Sequence, residues 1–446
     1  MTRRSGVITF GHEFLRHTVS RRWLRTGETL TATRQALVRY FEDRPFDDAR
    51  KLDELPTLYV HLEQWSKLKS LLTHRATFTK MIFAPRWVWE LHAYWITLQP
   101  HFSAGSSYLE ALPHWEAEVS KDGQAADFPS ALMGVGSFLM QRGEHEAAIS
   151  TFSEVVAQLS SSSSDGATDL CAALSSRSAA FGAVGRMDDA EADAGRALAL
   201  AEHEGEERLP PYLNGHAVIL KNLGRFEEAE KLYRRAWTLV ARLKPGDKAA
   251  LIPVLSNLAQ LLHTTQRLQE AEPLMLQAAE LTKLTVGENH PDYGTQCHNL
   301  GSLLSDMKRY AASEPLFCRS LDIARRTLRE DHPKLAIIHA RYGLMLSLTQ
   351  RHQEAMANLE RALEIRIKAW GPSHPAAAKD MKAVAFAYLG AGNIPVAVSL
   401  GRRALGIYER AYAADDPRLE RQRQELAFLL EIAATRGPTS GPSRVP

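Results

Sequence analysis

The residues able to do chemistry in this chain must be tested for convergence. His12 and His17 of "HEFLRH" offer the side chains of a zinc-protease helix, but they stand five apart where that site needs four, so they point to different helix faces. The three cysteines, Cys171, Cys297 and Cys318, include no Cys-x-x-Cys pair, which argues against a zinc or dithiol site. No G-x-x-x-x-G-K-[ST] segment occurs to cradle a phosphate, and no G-x-S-x-G elbow to present a serine. "GVGSFL" (134–139) has two glycines but lacks the third of a dinucleotide fingerprint. The most regular histidines are His290, His332 and His374, each followed by proline; the prolines stand at 291, 333 and 375, and the frame returns as Asp416-Pro417, in steps of 42. A catalytic histidine would not become aspartate in one copy. Asn289, Asp331, Ser373 and Asp415 precede these pairs, and all belong to the helix N-cap set. Proline then falls in the first turn, where its missing N–H costs nothing, so the frame reads as a helix start. No acid, base, nucleophile or metal set converges. The expectation is a non-enzyme without cofactor or metal.

The period has further content. Small residues recur at Ala148, Ala190, Ala229, Ala271, Ser313, Ala355 and Ala397. Twelve residues before each stands another small residue: Gly136, Ser178, Ala217, Ala259, Gly301, Gly343 and Ala385. Three residues further on, every copy has a large apolar residue, as at Leu262, Leu304 and Leu346. Two antiparallel helices approach closely only where one presents a small side chain to the other, and a large residue one turn away fills the space beside that contact. Turn residues such as "QRGEH" and "NLGRF" separate the two helices. One such hairpin cannot bury its own apolar face; a stack of them can.

Composition bounds the rest. The chain has 446 residues, 45% of them apolar and 24% charged, with a formal net charge of +2. This balance gives no nucleic-acid surface. So few cysteines argue for a reducing compartment. The apolar run near the start is too short for a signal peptide. "MIFAPRWVWELHAYWITLQ" (81–99) contains Arg86, Glu90 and His92, and reads as a buried aromatic helix pair broken at Pro85 rather than a membrane span. Three segments follow: a helical domain over 1–125, about seven repeats over 126–433, and a disordered tail over 434–446. The serine run 160–164 reads as a flexible loop between repeats.

The small-large-small grammar resembles the tetratricopeptide repeat. The 42-residue form with "G-x-x-HP" between units is similar to the repeats of kinesin light chains and nephrocystin-like proteins; "VGENHPDYGTQCHNLGSLL" and "LREDHPKLAIIHARYGLML" carry it. The resemblance implies an all-α, right-handed superhelical solenoid, a scaffold or adaptor function and, for the nephrocystin-like type, a cytoplasmic and ciliary setting. "GVITFGHEFLRHTVSRRWL" (6–24) and "KLDELPTLYVHLEQWSKLKSLL" (51–72) resemble the helical arm that follows the nucleotide-binding module of NACHT-type NTPases. By that resemblance the chain is a partial product or short isoform that begins inside the arm.

In this repeat type the first helix of each hairpin lines the concave groove. The positions two before and one and four after the small residue give Asn257, Gln260 and His263, then Asn299, Ser302 and Ser305, then Arg341 and Phe386; Lys379 and Lys382 share the face of a later first helix. Amides and cations in this arrangement suit a partner's peptide segment, bonding its main chain and pairing with its acidic groups. No nucleic acid and no membrane insertion are expected.

Overall fold

The computed structural model describes residues 2–4, 7–9, 27–46, 48–84, 87–122, 128–161, 167–328, 330–411 and 417–436. The chain divides into two compact units, 1–219 and 220–446, and the division falls inside the helix Leu209–Asn222. The fold is all-α, apart from one short antiparallel pairing of Thr2–Arg4 with Val7–Thr9. At residues 7–9 that pairing corrects the helical reading of 6–24; residues 10–24 lie outside the described residues. Val7, Ile8 and Thr9 are two β-branched aliphatics and a threonine, which favour extended backbone. His12 and His17 lie outside the described residues, as do the tail from 437 and most of the serine run.

The first unit opens with the helices Gly27–Glu42, Ala49–His61, Trp65–Leu72, Arg75–Ile82, Val88–Leu98 and Ala104–Asp122. Their core is aromatic. Phe78, Trp95, Tyr108 and Trp115 are fully buried. Buried polar tips must find partners, and these do: Trp95 Nε1 donates to Tyr108 Oη (3.1 Å), Tyr108 Oη to the Leu72 carbonyl (3.1 Å), and Trp115 Nε1 to the Thr73 carbonyl (2.9 Å). The expected aromatic helix pair is Arg75–Ile82 and Val88–Leu98. No helix among the described residues is long and apolar enough to cross a membrane. Two hairpins follow in this unit, Phe128–Arg142 with His145–Ser161 and Ala167–Ala183 with Met187–Glu204.

The second unit contains the helix Phe226–Leu243 and four hairpins. These are Lys248–Thr264 with Leu268–Val286, Pro291–Asp306 with Tyr310–Thr327, Pro333–Leu348 with His352–Trp370, and Pro375–Gly390 with Ile394–Ala411; the helix Pro417–Arg436 ends the stack. The small residues sit at the helix crossings. A Cβ on Gly343 would come within 2.7 Å of Leu359 Cγ and 3.1 Å of the Ala355 carbonyl oxygen. Serine at a crossing is satisfied by the opposing backbone: Ser313 Oγ donates to the Gly301 carbonyl and Ser320 Oγ to the Gly294 carbonyl, both at 2.7 Å.

Every hairpin turn is built alike. The N–H of the residue four before the small anchor reaches the carbonyl of the large apolar residue: Arg267 to Leu262 (2.8 Å), Arg309 to Leu304 (2.8 Å), Arg351 to Leu346 (3.0 Å) and Asn393 to Tyr388 (2.8 Å). This is the helix-ending bond of a Schellman motif, which places the intervening residue in the left-handed region. Gly392 takes that place at φ +81°, but Gln266, Lys308 and Gln350 take it at +63°, +60° and +61°. The turn arginines also tie neighbouring repeats. Arg267 donates to Glu230 (2.6 Å) and Glu270 (2.7 Å), and Arg351 to Glu314 (2.7 Å) and Glu354 (2.6 Å).

The His-Pro frame is a helix start, with one correction. The cap is the histidine, not the residue before it. His290, His332 and His374 have extended backbone, and each Nδ1 accepts from the N–H two residues on, at 3.2, 3.1 and 3.1 Å. Imidazole Nδ1 therefore does what a shorter Asn or Asp oxygen does at an N-cap. Asp331, freed from that role, pairs with Lys368 at 2.8 Å. Asp415 and Asp416 lie outside the described residues.

Candidate protein-binding face

Each first helix of the second unit has one side committed to its crossing. The opposite side carries the residues singled out by sequence. Asn257, Gln260 and Asn299 are half-buried, whereas Arg341, Lys379 and Phe386 are exposed. Arg341 forms no ion pair among the described residues. Ser302 and Ser305 are buried and belong to the floor of the face, not to its surface. Ser302 Oγ has no hydrogen-bond partner there.

Some of the predicted residues are engaged within the fold, His263 and Lys382 among them. His263 Nε2 lies 2.6 Å from Asp306 Oδ2 on the next first helix. Lys382 Nζ donates to Glu425 on the helix Pro417–Arg436 at 3.1 Å. With the buried pair Ser256 and Gln296 (Gln296 Nε2 donating to Ser256 Oγ at 2.9 Å), these bonds lock successive first helices side by side. The hydrogen bond from His263, reinforced by the charge of Arg341, holds the Asp306 carboxyl below its ordinary range.

Sequence reasoning passed over His298. Its ring packs edge-on to Phe317 (5.9 Å), and its Nδ1 has no hydrogen-bond partner among the described residues. Burial, with Arg341 and Lys334 nearby, pushes its pKa down to about 4, so the ring is neutral. Sequence reasoning also passed over the apolar members of the face, Ile337, Leu344, Leu348 and Phe428, which are all exposed. Their signal was available: 344, 386 and 428 are steps of 42 and hold Leu, Phe and Phe.

Other places offer less. A cavity of about 470 Å³ is lined by Glu330, Asp331, Arg361, Glu364, Ile365 and Lys368. Both of its cations are already bonded to its carboxylates, Arg361 to Glu364 at 2.6 Å and Lys368 to Asp331 at 2.8 Å. Among the described residues no group of three or more His, Cys, Asp or Glu side chains is placed to hold a metal ion.

The family profile described as tetratricopeptide repeat matches residues 209–283, 251–326, 294–368 and 335–410. No curated protein matches the chain. Among solved structures, BtubC (BKLC) from P. vanneervenii is 22% identical over 58% of this chain and 96% of its own, with a TM-score of 0.43. The nearly identical TPR-like repeats of a putative kinesin light chain from Podosopora anserina are 21% identical over 47% of this chain and 100% of their own, with a TM-score of 0.41. The apo form of the quorum sensor NprR from B. thuringiensis is 14% identical over 80% and 97%, with a TM-score of 0.50. Identities this low carry the fold alone. The matched profile and the hairpins it falls on agree in register: residues 209–410 of this chain are an array of tetratricopeptide repeats.

Proposed function

We propose that this chain is a non-catalytic interaction protein, a scaffold or adaptor whose first-helix face in residues 248–436 binds a peptide segment of a partner protein. The observation that carries this is the register of outward side chains. Asn257, Asn299 and Arg341 occupy one repeat position, in steps of 42, on helices whose other side is consumed by packing. Amides at that position can bond a peptide main chain, and the unpaired guanidinium can take an acidic side chain, each charge-assisted bond contributing about 1.5–3 kcal/mol. Capture of partners on the full chain, followed by lysine cross-linking and mass spectrometry, tests it. Cross-links to the partner should fall on Lys334, Lys379 and Lys382. Cross-links confined to Lys231, Lys283 and residues before 220 would contradict it.

A second reading rests on the resemblance of residues 51–72 to a NACHT-associated arm, a segment that forms the helices Ala49–His61 and Trp65–Leu72. On it, residues 1–125 are a remnant of that arm. The array from 126 to 433 is then the partner-binding half of a nephrocystin-like, cytoplasmic or ciliary signalling NTPase. A transcript that joins a P-loop module upstream of Met1 would support this reading; transcripts lacking one would reject it.

A further inference from the structure

We infer that the C-terminal half of this face docks an acidic amphipathic α-helix of a partner. This rests on the reading above and names the chemistry of the ligand. Ile337, Arg341, Leu344 and Leu348 fall at i, i+4, i+7 and i+11 of the helix Pro333–Leu348, a single stripe. Ile337 is 44% exposed, Leu344 40% and Leu348 62%. Position 344 recurs as Phe386 and Phe428, 36% and 50% exposed, so Leu344, Phe386 and Phe428 form a ladder. Its rungs are neighbours. The Lys382–Glu425 bond joins the last two helices one turn before Phe386 and Phe428. The helices Pro333–Leu348 and Pro375–Gly390 share one core cluster. Scattered exposed apolar residues are normal, but three in register, with two more on the stripe of one of their helices, are not.

Size and charge select the occupant. The stripe spans about 16 Å along its helix at 1.5 Å per residue. Three helices packed at 8–10 Å give about 16–20 Å in the other direction. That is far wider than one extended strand, at about 5 Å, and suits a helix of about 10–12 Å diameter. Two turns of a docked helix, about 10.5 Å, match one rung. Along the ladder the cations Arg341, Lys379, Lys382 and Arg421 outnumber the carboxylates Asp306, Glu425 and Glu431 among the described residues. Lys382 and Arg421 share Glu425, and Asp306 is bonded to His263. The net charge of the face is positive, which favours acidic flanks on the partner. The preceding half differs: the helices Lys248–Thr264 and Pro291–Asp306 expose no large apolar side chain among the described residues.

The test uses the full chain and a synthetic 18-residue helical peptide, with leucine at the a and d heptad positions and glutamate flanking them, read by fluorescence anisotropy. The expected result is saturable binding that weakens with salt, and a Kd at least tenfold higher for the Phe386→Ser/Phe428→Ser variant, with its melting temperature retained. The same peptide with lysine in place of glutamate, or with a central proline, should bind at least tenfold more weakly. Equal binding of the acidic and basic peptides, or an unchanged Kd in the double variant, overturns the inference. So does self-association of the full chain that the double variant abolishes, because the occupant is then a second copy. If the peptide fails while captured partners still cross-link to Lys334 and Lys379, the interaction function stands and this inference alone falls.

Discussion

The two sides of a first helix are written in different languages. On the crossing side, Gly301, Gly343 and Ala385 repeat with the period because two backbones must meet there, and a large side chain has no room. On the outer side the equivalent series run Asn257, Asn299, Arg341 and Ala383, or Gln260, Ser302, Leu344 and Phe386, with no one size or polarity kept throughout. The difference teaches where the fold ends and specificity begins. Repetition holds a position that packs, and variation at fixed register marks one that is available for a ligand.

The largest effect should come from the crossing. Gly343→Leu must drive atoms into Leu359 and the Ala355 carbonyl, and should cost about 3 kcal/mol or more in chemical denaturation. The same comparison can be sharpened with alanine. Gly343→Ala should destabilise by about 1–3 kcal/mol, since its Cβ would lie within 3.1 Å of backbone. At Gly301 the nearest atom to an added Cβ is Leu316 Cβ at an ordinary 3.4 Å, so Gly301→Ala should be neutral or stabilising by about 0.5 kcal/mol, while Gly301→Leu overpacks. Equal melting temperatures for the two alanine variants would break the account of the crossing.

The next effect is pH dependence. The folded pKa of His298, about 4, lies below its ordinary value of 6.5. Its contribution is full above pH 6.5 and is lost as pH falls toward 4, by at most about 3 kcal/mol. His298→Ala, which copies Ala340 at the same repeat position, should flatten the fall of melting temperature between pH 7 and pH 4.5. A slope identical to wild type would reject the neutral buried ring.

Smaller still is the turn. Lys308 holds a left-handed conformation that Gly143, Gly185, Gly224 and Gly392 fill in other copies. Lys308→Gly should therefore raise stability by about 0.5–1 kcal/mol in thermal melts. The smallest effect is at the junction. His332→Asn keeps a cap acceptor and should change stability by less than about 0.5 kcal/mol.

The sequence reading located the crossings because seven copies of one steric constraint leave the same trace. It misplaced the caps by one residue, because Asn289, Asp331 and Ser373 are better cap types than histidine, and only backbone geometry shows that His290, His332 and His374 take the role. It counted Lys382 and His263 as available because an ion pair to the next helix, 43 residues on, has no local signature. It placed Ser302 and Ser305 on the surface because the depth of a small polar residue depends on its neighbours. It left out Leu344 and Leu348 because apolar residues in a helix read first as core. The strand Val7–Thr9 was hidden for another reason: three residues are too few to show alternation.

The central claim is that the outer side of these helices binds and the crossing side folds. The Asn257→Ala/Asn299→Ala/Arg341→Ala variant of the full chain tests it most directly, with melting temperature and quantitative partner capture measured on the same preparation. The account predicts a melting temperature within error of wild type, since such polar residues contribute little to stability, together with loss of most captured partners. An unchanged partner profile would contradict it.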